Sequence, residues 1–239
     1  MGAKTPKIVG EDSKRDVDAF LDKLALTPVR KPAEQRGRLI FALDATMSRQ
    51  PTWDTACHLQ ADMFAEAEQL GGVDIKLIYF RGYHECRASK WHSDAAPLQK
   101  AMGRIHCQGG YTQIERVLKR AVKEAQSGPV HALVYVGDAV EEEIDTLCHV
   151  AGRLGLLGVP AFMFQEGMDP YAEKTFREIA RLTGGAWCRF DTNSAAQLRD
   201  LLQAVAVYAA GGRAALEDYG KKKGGKVLQI TGAIGKGRP

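Results

Sequence analysis

From Leu39 to about Leu216, short apolar runs alternate with longer amphipathic stretches. The apolar runs are RLIFALD, VDIKLIYFRG, VHALVYVGD, PAFMFQEG and AWCRFD. Most are separated by segments with apolar residues at helical spacing, such as QIERVLKRAVKEAQ. Strands joined through helices of this length run parallel, and the helices cover both faces of the sheet. We therefore predict a Rossmann-like α/β fold with a mainly parallel central sheet.

One segment breaks the alternation. The run GYHECRASKW follows the second apolar run so closely that no crossover helix fits between them. A strand that follows its neighbour through a short turn pairs with it in the antiparallel direction. We therefore predict one short antiparallel strand at the edge of the sheet.

The sequence divides into three parts. Residues 1–36 are polar and form an N-terminal extension, in which apolar residues at helical spacing predict one short helix docked on the body: Val17, Phe20, Leu21, Leu24 and Leu26. Residues 37–216 form the α/β domain, whose last helix is predicted from Ser194 to about Leu216. Residues 217–239 form a basic, glycine-rich tail that is predicted to be flexible.

Charge and composition exclude several classes of function. Six of the 33 basic residues lie in the stretch 219–239, so the remaining 27 face 29 acidic residues and the body is not a basic nucleic-acid-binding surface. Only the tail offers weak, salt-sensitive contacts to nucleic acid. No apolar run is long enough to span a membrane and no signal core opens the chain, so we expect a cytoplasmic protein. The five scattered cysteines predict reduced thiols.

Oxygen-bearing side chains follow several of the predicted elements. Asp44, Thr46 and Ser48 come after the first strand, Thr112 lies in the loop before a central helix, and Asp138 follows the strand VHALVYVG. In an open α/β sheet, binding groups collect at the carboxyl ends of the strands. All five side chains present oxygen and none presents nitrogen or sulfur, which is the chemistry of a hard cation such as Mg²⁺ or Mn²⁺.

These motifs resemble the von Willebrand factor A (VWA) domain with its metal-ion-dependent adhesion site (MIDAS). That family has DxSxS after the first strand, a threonine in a later loop and an aspartate after the fourth strand. The resemblance covers about residues 37–215 and implies direct metal ligation by Thr46 and Ser48. It implies contacts largely through water for Asp44 and Asp138, and either mode for Thr112. The chain departs from the pattern in having threonine at position 46 and Ala139 after Asp138.

The resemblance also implies a function. Such a site binds a partner protein whose aspartate or glutamate completes the metal shell, and it performs no catalysis. An intracellular adaptor role is implied, with an AAA+ ATPase complex as one kind of partner. Gly110, Tyr111 and His106 are predicted to line the rim of the site.

Three alternatives stay open at the level of sequence. The candidate residues could cap helices: Asp44, Thr46 or Ser48 near Pro51, Thr112 before QIERVLKRAV and Asp138 before EEEIDTL. Asp44 and Thr46 also resemble the start of a haloacid-dehalogenase-like, Mg²⁺-dependent phosphotransferase with Asp44 as nucleophile. The later motif of that family, a glycine and an aspartate followed by another acid, is similar to Gly137, Asp138 and Glu142. The third alternative is a scaffold with a vestigial metal site.

Overall fold

The computed structural model describes residues 16–17, 19–20, 22–24, 36–68, 71–190 and 195–223. The predicted positions Leu21, Leu26 and Ser194, and the tail beyond residue 223, lie outside the described residues.

Strands and helices alternate as predicted. The strands are β1 (Gly37–Asp44), β2 (Val73–Arg81), β3 (Glu85–His92), β4 (Ala132–Gly137), β5 (Ala161–Glu166) and β6 (Ala186–Phe190). The helices are α1 (Gln50–Glu68), α2 (Ala95–Met102), α3 (Ile114–Ser127), α4 (Ile144–Leu156), α5 (Pro170–Thr183) and α6 (Ala195–Lys223), and a 3₁₀ turn at Met47–Arg49 precedes α1.

The six strands form one sheet in the order β3-β2-β1-β4-β5-β6. All pairings are parallel except that of β2 with β3, which is antiparallel and places β3 at the edge. The predicted fold class, including its antiparallel edge strand, is confirmed. Strand β2 lies on one side of β1, whereas β4 and the later strands lie on the other side. The loops that follow β1 and β4 therefore lead in opposite directions, which opens a crevice between the ends of these two strands.

Both faces of the sheet are covered, which explains why the central strands are apolar throughout. Along β1, Leu39, Phe41 and Leu43 face a core with α1 and α6, whereas Ile40 and Ala42 face a second core with α3, α4 and α5. This alternation follows the two-residue period of a strand. Seven of the eight residues of β1 are buried, and Arg38 is half-buried. Packing on both faces of the sheet therefore fixes the position of the strand end.

The N-terminal extension docks on the first of these cores. In its described residues Phe20 and Leu24 are buried, and the Phe20 ring packs edge-on against Phe162 and Phe164 with centroid distances of 5.7 and 5.1 Å. The predicted docking is therefore confirmed for this part of the segment.

The last helix is longer than predicted. It continues to Lys223 and is interrupted at Gly212, whose φ of 74° is open to glycine at little cost. Leu216 is buried, and the Tyr219 hydroxyl donates a hydrogen bond of 2.9 Å to Gln203 Oε1 on the preceding part of the helix. The helix therefore includes residues 217–223, which were predicted to be the start of the flexible tail.

All five cysteines are free, as the sequence predicts.

None of the described helices combines the length and apolarity that crossing a bilayer requires.

Candidate metal centre

The candidate site lies at the carboxyl edge of the sheet, at its centre. Strands β1 and β4 are neighbours, with Leu43 paired to Val136. Asp44 is the last residue of β1, and Asp138 directly follows β4. Residues far apart in sequence are therefore brought to one place by strand pairing alone.

A chain of polar contacts links four of the five predicted ligands. The Thr46 backbone N–H donates to Asp44 Oδ1 at 2.7 Å, and the hydroxyl oxygens of Thr46 and Ser48 lie 3.4 Å apart. The Ser48 hydroxyl donates to Asp138 Oδ2 at 3.0 Å. Two carboxylates and two hydroxyls thus share one site.

Asp44 is the most deeply buried of these side chains, with 2% of its surface exposed. Burial raises its pKa to about 6; hydrogen bonds from Thr46 and the charge of Arg49 oppose this rise, and the charge of Asp138 adds to it. Its Oδ2 atom is buried and has no hydrogen-bond partner among the described residues. A buried carboxylate oxygen without a donor costs free energy, which a cation would relieve.

The donor set therefore fits a hard divalent cation. Among the described residues, no three His, Cys, Asp or Glu side chains gather as a metal cluster. A cation here would instead depend on two carboxylates supplemented by hydroxyls, and Mg²⁺ tolerates few protein ligands because it retains several waters.

Thr112, the fifth predicted ligand, is engaged elsewhere. Its backbone N–H donates to Glu141 Oε2 at 2.7 Å, and its hydroxyl oxygen accepts from the Glu141 N–H at 2.9 Å. These contacts tie the loop before α3 to the loop after β4. In the described structure no hydrogen bond joins Thr112 to the other four residues.

The capping alternative fails for two of the candidates. The N-cap of α3 is Gln113, and the N–H groups of Ile114 and Glu115 donate to the Glu142 carboxylate at 2.7 and 2.8 Å. Glu142 therefore does what was expected of Thr112, although burial still raises its pKa. The N-cap of α4 is Glu143, whereas Asp138 accepts the bond from Ser48.

The three residues predicted for the rim, His106, Gly110 and Tyr111, lie in the loop between α2 and α3, which touches the turn between β2 and β3. A Cβ at Gly110 would stand 2.0 Å from the Gly82 carbonyl oxygen, so this close approach requires glycine. The neighbouring Tyr111 is exposed. His106 is also exposed, and its carbonyl oxygen accepts a 2.8 Å hydrogen bond from Arg81 Nη1.

Sequence reasoning missed a buried ion pair beside the site, formed by Arg49 and Glu166. Arg49 is 2% exposed; burial lowers its pKa, and the charges of Asp138 and Asp44 oppose that effect. Glu166 ends the fully buried strand β5, just as Asp44 ends β1, so the rule that selected Asp44 could have selected it. No sequence pattern distinguishes Arg49 from a surface arginine.

The comparisons with known proteins concern the fold. No protein-family model and no curated protein matches the sequence. Among solved structures, a von Willebrand factor type A protein from Catenulispora acidiphila superposes with a TM-score of 0.56 at 18% identity, over 72% of this chain and 43% of that chain. The open form of the SpaC pilus adhesin from Lactobacillus rhamnosus GG gives 0.60 at 10% identity, over 81% of this chain and 31% of that chain.

The SpRpn10 VWA domain superposes with a TM-score of 0.56 at 13% identity, over 74% of this chain and 98% of that domain. The chain thus spans less than half the length of the first two proteins. It covers nearly the whole length of the isolated SpRpn10 VWA domain. The chain has the VWA fold, as the sequence motifs predict.

Proposed function

We propose that this chain is a protein-binding module that depends on a divalent cation, Mg²⁺ or Mn²⁺. The observation that carries the proposal is the linked set of Asp44, Thr46, Ser48 and Asp138, with one buried Asp44 oxygen lacking a donor. Thr112 would join them only after its bond to Glu141 is exchanged, which agrees with a ligand that enters the shell in one state of the site.

The charge balance explains why such a site would bind an acid. Hydroxyl ligands are neutral, so a bound cation keeps much of its positive charge and an exchangeable position for a carboxylate. Without the cation, the carboxylates of Asp44 and Asp138 repel an acidic side chain. Binding of an aspartate or glutamate from a partner should therefore require the metal.

The cellular role that we propose is that of a cytoplasmic adaptor without enzymatic activity. Among the solved structures of the same fold, SpaC is described as a pilus adhesin. The resemblance to stand-alone intracellular VWA proteins suggests partners such as an AAA+ ATPase complex.

The phosphotransferase alternative has less support. Asp44 Oδ1 already accepts the Thr46 N–H, and the side chain is almost fully buried, which leaves little access for attack on a phosphate. The later acid of that motif, Glu142, is occupied by the N–H groups at the start of α3.

Affinity capture from the native lysate tests the proposal. With Mg²⁺ present, we expect the wild-type chain to retain specific proteins that EDTA releases. Ser48→Ala should lose them because it removes a hydroxyl ligand, whereas Ser127→Ala, at the far end of α3, should retain them.

Two results would contradict the proposal. Capture that persists in EDTA and in Ser48→Ala would indicate a scaffold with a vestigial site. Release of phosphate from p-nitrophenyl phosphate, abolished in Asp44→Asn, would indicate the enzyme.

A further inference from the structure

Exposed large apolar side chains concentrate around the candidate metal centre. Of the seven in the described part of the chain, five lie at the carboxyl edge of the sheet, and we call them the apolar collar: Met47, Tyr83, Tyr111, Met168 and Tyr171. The other two, Leu156 and Leu157, lie at the end of α4, which runs back to the opposite edge.

The collar lies on both sides of the metal centre. Tyr83 follows the end of β2 and Met168 follows the end of β5. In the sheet order, β1 and β4 lie between these two strands, and they carry Asp44 and Asp138 at their ends. The oxygen-lined site is thus flanked by apolar surface in both directions across the sheet.

Contacts hold the aromatic members in place while leaving them open to solvent. The Tyr83 and Tyr111 rings meet edge-on with centroids 5.3 Å apart, and they are 62% and 58% exposed. The Tyr171 hydroxyl donates to the Glu142 carbonyl oxygen at 3.2 Å. Tyrosines held in this way lose little conformational entropy on binding, and they are enriched among residues that dominate interface energies.

The sheet sets the distance between the centre and its flanks. Neighbouring strands lie about 4.8 Å apart, so the midline between β1 and β4 is roughly 7 Å from β2 and from β5. An extended peptide advances about 3.3 Å per residue, and residues two apart point to the same side. If the peptide runs across the ends of the strands with its acidic side chain at the centre, the residues two positions before and after the acid (−2 and +2) lie over the two sides of the collar.

We propose that the partner presents an extended segment with the pattern large apolar, any residue, Asp or Glu, any residue, large apolar. This inference rests on the proposed function, because the central acid is the group that would complete the metal shell. The collar would bind the apolar residues on either side of the acid. These contacts would distinguish such a segment from the many exposed acidic residues of other proteins.

A displayed library of random peptides tests the pattern. The full chain is used as bait in Mg²⁺, and bound peptides are eluted with EDTA and sequenced. We expect an acid with large apolar residues at −2 and +2. A synthetic peptide from the wild-type selection should bind about tenfold more weakly or worse to Tyr83→Ser/Tyr111→Ser. The matched surface variant Leu156→Ser/Leu157→Ser should bind it as the wild type does, and Mn²⁺ binding verifies that both variants fold.

The outcomes separate the two proposals. Enrichment of an acid without preferred apolar flanks, or equal peptide affinity for both double variants, would overturn the collar inference and leave the metal-dependent function standing. If no acid is enriched in the EDTA eluate, the proposed function fails as well.

Discussion

Replacing Asp44 by asparagine is expected to stabilise the metal-free protein and to remove its affinity for divalent cations. Burial raises the pKa of this carboxyl from 3.8 to about 6, so ionised Asp44 destabilises the fold at neutral pH. Since one pKa unit corresponds to about 1.4 kcal/mol, asparagine should add on the order of 3 kcal/mol to the free energy of unfolding. A gain in stability at the expense of binding is typical of functional sites.

The stability difference between Asp44→Asn and the wild type should depend on pH in a defined direction. A carboxyl whose pKa is raised in the folded state destabilises the fold fully above that pKa, and the effect fades as pH falls toward the unfolded value. The advantage of Asp44→Asn in EDTA should therefore be largest above pH 6, shrink between about 6 and 3.8, and vanish below.

Urea unfolding in EDTA across this range measures the effect, with the exposed Asp200→Asn as control. A destabilised Asp44→Asn at neutral pH, or a difference from wild type that does not change with pH, would contradict the prediction.

Replacing Glu166 by glutamine is expected to destabilise the protein by about 3 kcal/mol, because it leaves the buried Arg49 guanidinium without its charged partner. The side chains of this pair are only 2% and 9% exposed. The guanidinium should then be balanced more by Asp44 and Asp138, so the affinity for Mg²⁺ should fall as well.

Glu178→Gln is the matched control, because Glu178 pairs with Arg181 at the surface, where the side chains are 34% and 65% exposed. Solvent screens such an exposed pair, so its loss should change stability far less than the loss of the buried pair. Denaturant unfolding measures the free energy of unfolding of both variants. Equal values for Glu166→Gln and Glu178→Gln would contradict the prediction that the buried pair contributes more to stability than the surface pair.

Much of the fold could be predicted because each element satisfies a local rule. Apolar residues recur with the period of a strand or of a helix along most elements. The connection between β2 and β3 is too short for a crossover helix, so β3 must pair with β2 in the antiparallel direction. The end of α6 could not be predicted, because its continuation past Gly212 depends on the tertiary contacts of Leu216 and Tyr219.

The candidate site was predictable where it depends on the ends of strands. Asp44 and Asp138 meet because β1 and β4 are neighbours, which follows from the α/β topology. The pairing of Thr112 with Glu141 depends instead on how two loops fold against each other. The buried Arg49 likewise depends on a partner far along the chain, since Glu166 is brought to it only by the order of the strands.

The most direct test of the central claim is a Mn²⁺ titration followed by electron paramagnetic resonance, which measures the free ion. We expect the wild-type chain and Ser127→Ala to bind a single Mn²⁺ that excess Mg²⁺ displaces. Ser48→Ala should bind it at least about tenfold more weakly, a loss typical of altered metal shells. Identical Mn²⁺ binding by the wild type, Ser48→Ala and Asp44→Asn would contradict a metal centre at the ends of β1 and β4.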